Sequence, residues 1–164
     1  MATINTTSAP NRKALACALA AAIAVPCEGL RQRVYLDPVG IPTYCFGETS
    51  NPVAGKLYSV AECEGLLNES MLAAVRAVER CVPGLPPEVL GAFASAVYNM
   101  GPTIACNTGA STAARALRAG LLADACNQLP RWNKARLLGV LTTLPGLTKR
   151  RALERDQCLV GAVA

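Results

Sequence analysis

The chain has 164 residues, 52% of them hydrophobic and only 4% aromatic, with 16 Lys and Arg against 11 Asp and Glu and no histidine. That length and apolar content suit one domain with a real core and exclude a disordered chain. The missing histidine excludes Ser-His-Asp and Cys-His catalysis and the usual zinc sites, and the net charge of +5 favours an anionic partner.

Alanine and leucine dominate the apolar fraction, which leans the chain towards helix. Residues 1–11 are polar and carry no charged side chain; Arg12 and Lys13 then precede an apolar run from Ala14 to Val25, which Pro26 is expected to end. Positive-then-apolar is the layout of an export signal. The run has twelve residues, well short of the roughly 20 that span a bilayer comfortably. Ala22-Ile23-Ala24 resembles a cleavage site, so a removed signal peptide, a retained membrane segment and a buried core helix all remain open. The favoured reading is a retained segment over residues 1–26, followed by a catalytic or binding domain over 27–164.

Val34-Tyr35-Leu36 reads as a short strand, and Asp37-Pro38-Val39-Gly40 as a type I turn with Asp first, Pro second and Gly fourth. Ile41 to Phe46 can return as the partner strand, with Pro42 at an edge. Gly47 to Gly55 reads as loop. Ser59-Val60-Ala61-Glu62 is a capping box that opens a helix reaching about Cys81. Pro86-Pro87-Glu88 opens a second, which runs to about Met100 before Gly101-Pro102. Ser111 caps a third that ends near Gly120; Leu121 to Leu129 forms a fourth, stopped by Pro130. Pro145-Gly146 breaks the chain again, and Leu147 to Val160 forms the last. The sum is one α+β domain, a small β element near the front followed by helices.

Without histidine, acid–base work falls to Asp, Glu, Lys or Tyr. Glu28 lies just past the apolar run, Asp37 opens the turn and Thr43 sits on the return strand, in the order Glu, eight residues, Asp, five residues, Thr. A hairpin can bring such carboxylates across a cleft, where glycoside hydrolysis needs one protonated to meet the leaving oxygen and one ionised opposite. A threonine hydroxyl can orient a water. Spacing alone carries little weight, because most such pairs are solvated surface charges.

The wider context adds to it. Glu28 and the stretch Tyr35-Leu36-Asp37-Pro38-Val39-Gly40-Ile41-Pro42-Thr43-Tyr44-Cys45-Phe46-Gly47-Glu48-Thr49 resemble the active-site region of phage-type lysozymes, glycoside hydrolase family 24. Cys45 stands where that family often has glycine, as in its exported, disulfide-containing branch. Further likeness lies in Ala61-Glu62-Cys63-Glu64-Gly65-Leu66-Leu67, in Tyr98-Asn99-Met100-Gly101, in Ser111-Thr112, in Arg131-Trp132, and in Gly146-Leu147-Thr148-Lys149-Arg150-Arg151 with Glu154 and Cys158. The branch resembled is the signal-arrest-release endolysins. The resemblance implies a mostly helical lysozyme-like fold with a helical C-terminal lobe. It also implies a peptidoglycan muramidase with Glu28 as general acid, Asp37 stabilising positive charge or activating water, and Thr43 placing that water. No metal or cofactor is implied. Expected partners are peptidoglycan and, transiently through residues 14–25, the host inner membrane before release into the periplasm. A monomer is expected and nucleic acid is not, for want of a phosphate loop, zinc finger or aromatic–basic motif.

Eight cysteines allow on the order of 100 full pairings. The family pattern implies Cys45–Cys63, Cys81–Cys106 and Cys126–Cys158, which leaves Cys17 and Cys27 as regulatory candidates. Because Asp37 occupies the position where some relatives carry a caged cysteine, control by refolding of the apolar segment is favoured over thiol exchange. Arg131, Lys134, Arg136, Lys149, Arg150, Arg151 and Arg155 make a basic C-terminal region that either binds anionic wall polymer or is an ordinary solvated face. Trp132 reads as core rather than as a sugar platform. Two rival functions stand beside the muramidase: a lytic transglycosylase, and a non-enzymatic, disulfide-rich cell-wall-binding protein.

Overall fold

The computed structural model describes residues 11–163; the polar start of the amino-terminal segment, residues 1–10, lies outside them. The apolar run folds as helix α1 (Arg12–Glu28), capped by the Asn11 side chain, which accepts from the Lys13 amide at 3.1 Å. Pro26 does not end the helix but sits inside its last turn. Proline withholds one amide from the ladder, and in a final turn only one bond is lost. The stop is Gly29, whose φ of +68° is a left-handed conformation that glycine adopts without steric cost.

Ala16, Ala20, Ile23 and Ala24 recur at helical spacing and are buried. They lie against α3 (Pro87–Met100), the central helix, in which every residue from Val89 to Val97 is buried. Close approach of the two backbones depends on Gly91: a Cβ there would stand 2.8 Å from the Ala16 carbonyl oxygen and 3.0 Å from the Leu19 Cβ. Arg12 fixes the other end of α1 through an ion pair with Glu79 and a 2.6 Å hydrogen bond donated to the Leu85 carbonyl. The apolar segment is thus part of the core in this structure. Among the described residues, no helix is long and apolar enough to cross a membrane.

After α1 the chain makes an antiparallel hairpin, β1 (Arg31–Leu36) and β2 (Pro42–Cys45), with Tyr35 opposite Thr43 and Leu36 opposite Pro42. Strand β1 starts three residues before the predicted Val34, and β2 is shorter than predicted. Ser59 and Glu62 form the capping box of α2 (Val60–Cys81): the Glu62 amide donates to the Ser59 hydroxyl at 3.1 Å, and the Ser59 amide to the Glu62 carboxylate at 2.7 Å. Helices α4 (Thr103–Cys106), α5 (Thr112–Arg118, capped by Ser111) and α6 (Leu122–Gln128) follow, then a 3₁₀ turn at Leu129–Arg131. A second hairpin, β3 (Lys134–Leu137) and β4 (Val140–Thr143), precedes the last helix, α7 (Pro145–Ala162). The α+β, mostly helical architecture is as expected; the second hairpin and α4 were not anticipated. Lys134 to Leu141 gives a weak signal, since its Leu138-Gly139 turn lacks the usual Asn or Asp and its alternation is blurred by Leu137-Leu138.

Disulfides join Cys45 to Cys63, Cys81 to Cys106 and Cys126 to Cys158, and tie β2 to α2, α2 to α4 and α6 to α7. Cys17 and Cys27 are half-buried and unpaired. Trp132 packs, half-buried, against the core.

Candidate active site

Glu28 is the last residue of α1, so the turn that Gly29 forces also aims this carboxylate out of the helix end. Its side chain keeps 22% of its surface exposed. One oxygen, Oε1, accepts a hydrogen bond from Arg150 Nη1 and a long one, 3.5 Å, from Asn99 Nδ2. The other, Oε2, has no hydrogen-bond partner among the described residues and lies over Gly47, where a Cβ would approach to 2.9 Å. Gly47 also holds φ at +89°, so both conformation and space demand glycine there.

Asp37 organises the turn it opens. Its Oδ1 accepts from the amides of Val39 at 2.9 Å and Ile41 at 2.8 Å, and its carbonyl accepts from Gly40 at 2.9 Å. That leaves Oδ2 without a partner among the described residues. Thr43, directly across the hairpin from Tyr35, is buried and donates its hydroxyl proton to the Ile41 carbonyl at 2.9 Å. Its oxygen therefore keeps lone pairs to accept from a further group.

All three predicted residues line one cleft of about 540 Å³. Asp37, Val39, Ile41 and Thr43 come from the first hairpin, and Gly47 and Thr49 from the loop behind it. Tyr98, Asn99 and Met100 at the end of α3 form the floor, while Lys134 and Ala135 of β3, with Leu144 and Leu147, form the far wall. Tyr98 secures the loop by donating its hydroxyl to the Phe46 carbonyl at 2.5 Å. Burial, with the Glu28 charge adding to it, pushes the Tyr98 phenol above its ordinary range, so it stays a donor. Glu48 anchors the same loop to α2. Burial alone would raise its carboxyl, but hydrogen bonds from Ser50, Ser70 and Thr49 hold it below the ordinary range.

Behind Glu28 lies a buried polar network that the sequence reading missed. Arg150 and Arg151 are 2% and 0% exposed, and Glu154 is fully buried between them. Arg150 bonds the Ser95 carbonyl at 3.1 Å and Glu154 at 3.2 Å. Ser95 donates its hydroxyl to the same Glu154 oxygen at 2.7 Å. Arg151 donates to Asn99 Oδ1 at 2.9 Å and to Glu154 at 3.1 Å, with a further 3.0 Å charge contact to Glu154 Oε2. Burial pulls the Arg151 guanidinium down to about 10, which still leaves it charged at neutral pH. Burial raises the Glu154 carboxyl above its ordinary range, and the two guanidiniums and the Ser95 hydroxyl work against that. Arg150 and Arg151 consequently leave the basic surface proposed for the C-terminal region; they face inwards. Their signal is the Arg-Arg-x-x-Glu pattern, with salt-bridge spacing of three and four residues on one helix; both sequence readings of the basic region, a wall-polymer site and a solvated face, place these two arginines at the surface.

Cys27, next to Glu28, has its thiol pushed up by burial, so it is protonated rather than a reactive thiolate at neutral pH.

This geometry has parallels. Residues 25–154 match the Phage lysozyme family. The chain is 38% identical over 136 residues to a SAR-endolysin of Bacteriophage PS119, which covers 82% of this chain and 77% of that one. The structure resembles an endolysin from the Escherichia coli O157:H7 phage FAHEc1, with a TM-score of 0.74, 27% identity and 91% and 92% of the two chains covered. In fold it also resembles the active form of the P1 phage endolysin Lyz, with a TM-score of 0.75, 23% identity and 87% and 84% covered.

Proposed function

Because this chain belongs to the phage lysozyme family, and is a glycoside hydrolase of the endolysin type that acts on peptidoglycan, we propose that it is a muramidase with Glu28, Asp37 and Thr43 as its catalytic residues. The bond cut is the β-1,4 linkage from N-acetylmuramic acid to N-acetylglucosamine. The observation that carries this reading is the state of Glu28: one oxygen is held by Arg150 and Asn99, and the other has no partner among the described residues, in a cleft shared with Asp37.

In this reading a sugar strand lies in the cleft between the two hairpins. Glu28 protonates the departing glycosidic oxygen through Oε2 while Arg150 and Asn99 keep its plane fixed. Asp37, held by the Val39 and Ile41 amides, faces the positive charge that develops on the ring. Thr43 accepts a hydrogen bond from the attacking water. Arg150 and Asn99 are positioning residues, acting through Glu28.

The amino-terminal segment belongs to the same proposal. Residues 1–26 serve first as a membrane tether and residues 27–164 as the lysozyme domain, with release placing the enzyme in the periplasm as a monomer. The reading is supported by the Arg12-Lys13 pair ahead of the apolar run and by the relatives named SAR-endolysin. While residues 14–25 lie in a bilayer, Glu28 is held apart from α3 and α7, and the cleft lacks its acid.

The test is mass spectrometry of the sugar ends released from purified peptidoglycan by wild type and by Glu28→Gln. Reducing N-acetylmuramic acid ends that vanish in the variant are expected. Anhydro ends would make the protein a lytic transglycosylase, and no release by folded, oxidised protein would favour a wall-binding role.

A further inference from the structure

The second hairpin carries features that neither stability nor catalysis accounts for. Leu138 is fully exposed at its tip, and the following Val140 and Leu141 are 66% and 57% exposed. Leu138 also adopts φ +49° ahead of Gly139 at +83°, the pair of left-handed residues of a type I′ turn, where asparagine or aspartate is favoured. A leucine there holds a backbone conformation that L side chains rarely adopt and gains nothing from packing. Leu138 in the turn, with Val140 and Leu141 at the start of β4, leaves three aliphatic side chains exposed around the tip of the hairpin.

The charge around this patch has one sign. Residues 125–153 contain six basic side chains and no acidic one. Two of the six, Arg150 and Arg151, are buried, which leaves Arg131, Lys134, Arg136 and Lys149 exposed. Lys134, Arg136 and Leu141 share one face of the hairpin, since Arg136 pairs with Leu141 and Lys134 with Thr143 in register, and Val140, opposite Leu137, lies on the other. Arg136 Nη1 donates to the Gly139 carbonyl at 3.0 Å, which holds this guanidinium beside the apolar tip. Lys134 stands about 13 Å up the strand from Leu138, at roughly 3.3 Å per residue.

We propose that the β3–β4 hairpin docks on an anionic phospholipid bilayer, with Leu138, Val140 and Leu141 in the acyl boundary and Arg136, Lys134 and Arg131 among the headgroup phosphates. An apolar tip with Arg136 beside it and Lys134 set back from it matches the layered chemistry of that interface, where peripheral elements insert about 5–10 Å, a long arginine stem reaches the headgroups and each basic residue near the surface adds attraction. An anionic sugar polymer would use the cations and leave the three aliphatic side chains unexplained. Lys134 also lines the cleft, but Leu138, Val140 and Leu141 lie outside that lining, so substitutions at these three test the inference apart from the catalytic reading.

The test is co-sedimentation of the full-length protein with vesicles of phosphatidylethanolamine and phosphatidylglycerol, and with neutral phosphatidylcholine vesicles. It compares wild type with the triple variant Leu138→Asn, Val140→Thr, Leu141→Thr. Asparagine suits the turn and threonine suits strands, so the hairpin keeps its fold. Wild type is expected to partition at least tenfold better onto anionic than neutral vesicles. The variant is expected to lose at least fivefold of the anionic binding while degrading purified peptidoglycan at the wild-type rate. Equal sedimentation of wild type and variant overturns the proposal, and so does loss of binding to isolated sacculi in place of vesicles. A second measurement places Leu138→Trp in a Trp132→Phe background: quenching by lipids brominated along the acyl chain is expected, and none would overturn the insertion.

Discussion

Arg150 and Glu28, 122 positions apart, form the ion pair that ties the last helix to the end of the first. The same guanidinium meets Ser95 and Glu154, so one side chain connects three helices and the carboxylate that faces the cleft. Glu28 owes its fixed plane to this contact more than to its own helix.

Replacing Arg150 should therefore separate position from charge. Arg150→Met leaves Glu154 short of one cation in the core, and breaking such a pair typically costs about 3–5 kcal/mol. Arg150→Lys keeps the charge but cannot reach Glu28, Ser95 and Glu154 together. It is expected to stay folded, with kcat down roughly 10–100-fold and KM little changed. A wild-type kcat in Arg150→Lys would remove Arg150 from the positioning of the acid.

Gly47→Ala is expected to displace the Glu28 carboxylate, because the new Cβ would sit 2.9 Å from Oε2 on backbone at φ +89°. Stability should fall by about 1–3 kcal/mol and kcat by about 100-fold. Thermal melting beside steady-state turnover reads both, and a variant that melts lower but turns over normally would clear Gly47 of any catalytic part.

The seat of α1 can be tested at Gly91. Gly91→Val would drive a branched side chain into the Ala16 carbonyl and Leu19. The helix is expected to undock, with protease cleavage between Arg12 and Arg31 and loss of lytic activity, while the disulfide-bonded remainder keeps its helical circular dichroism. Uncleaved and active protein would show that α1 tolerates a wider spacing than the structure has.

Acid stability rests in part on Glu62. Backbone and side-chain hydrogen bonds from Ser59 and one from Lys56 hold its carboxyl at about 2, below the ordinary 4.5. Arg12 likewise holds Glu79 low. A carboxyl depressed in the folded state contributes stability above its unfolded value and loses it as pH falls through the folded one. Wild type should thus melt above Glu62→Gln at pH 7, with the gap closing between pH 4.5 and about 2. A gap that does not vary with pH would sink this assignment.

If refolding rather than thiol chemistry controls the enzyme, Cys17→Ser with Cys27→Ser should leave the timing of lysis unchanged in an expressing host. Both thiols are unpaired and half-buried in the packed state. Lysis that comes early or fails in the double variant would put thiol exchange in control.

Much of this molecule was legible locally. The capping box at Ser59, the turn at Asp37 and the proline at the start of α3 each act over a few residues, so their sequence signals are complete. Glu28, Asp37 and Thr43 stand out in the sequence through the family resemblance rather than their spacing, and one helix end and one hairpin bring the three to one cleft. What stayed hidden depends on distant partners. The Arg-Arg-x-x-Glu spacing marks a pairing on one helix but not its burial, because Ser95 and Glu28, which Arg150 also meets, lie on other helices. Pro26 misled for a related reason: proline breaks helices by local rules, but a last turn held against α3 can absorb it.

The alanines of α1 carry a consequence of their own. Ala16, Ala20 and Ala24 are fully buried, yet each brings only a methyl group to the contact, on the order of 0.8 kcal/mol apiece. A leucine face would adhere firmly to whichever host it met first. An alanine face holds weakly and is narrow enough to lie on Gly91. On the proposed route from bilayer to core, such a helix would change hosts at small cost, and its smallest side chains would set the timing of lysis.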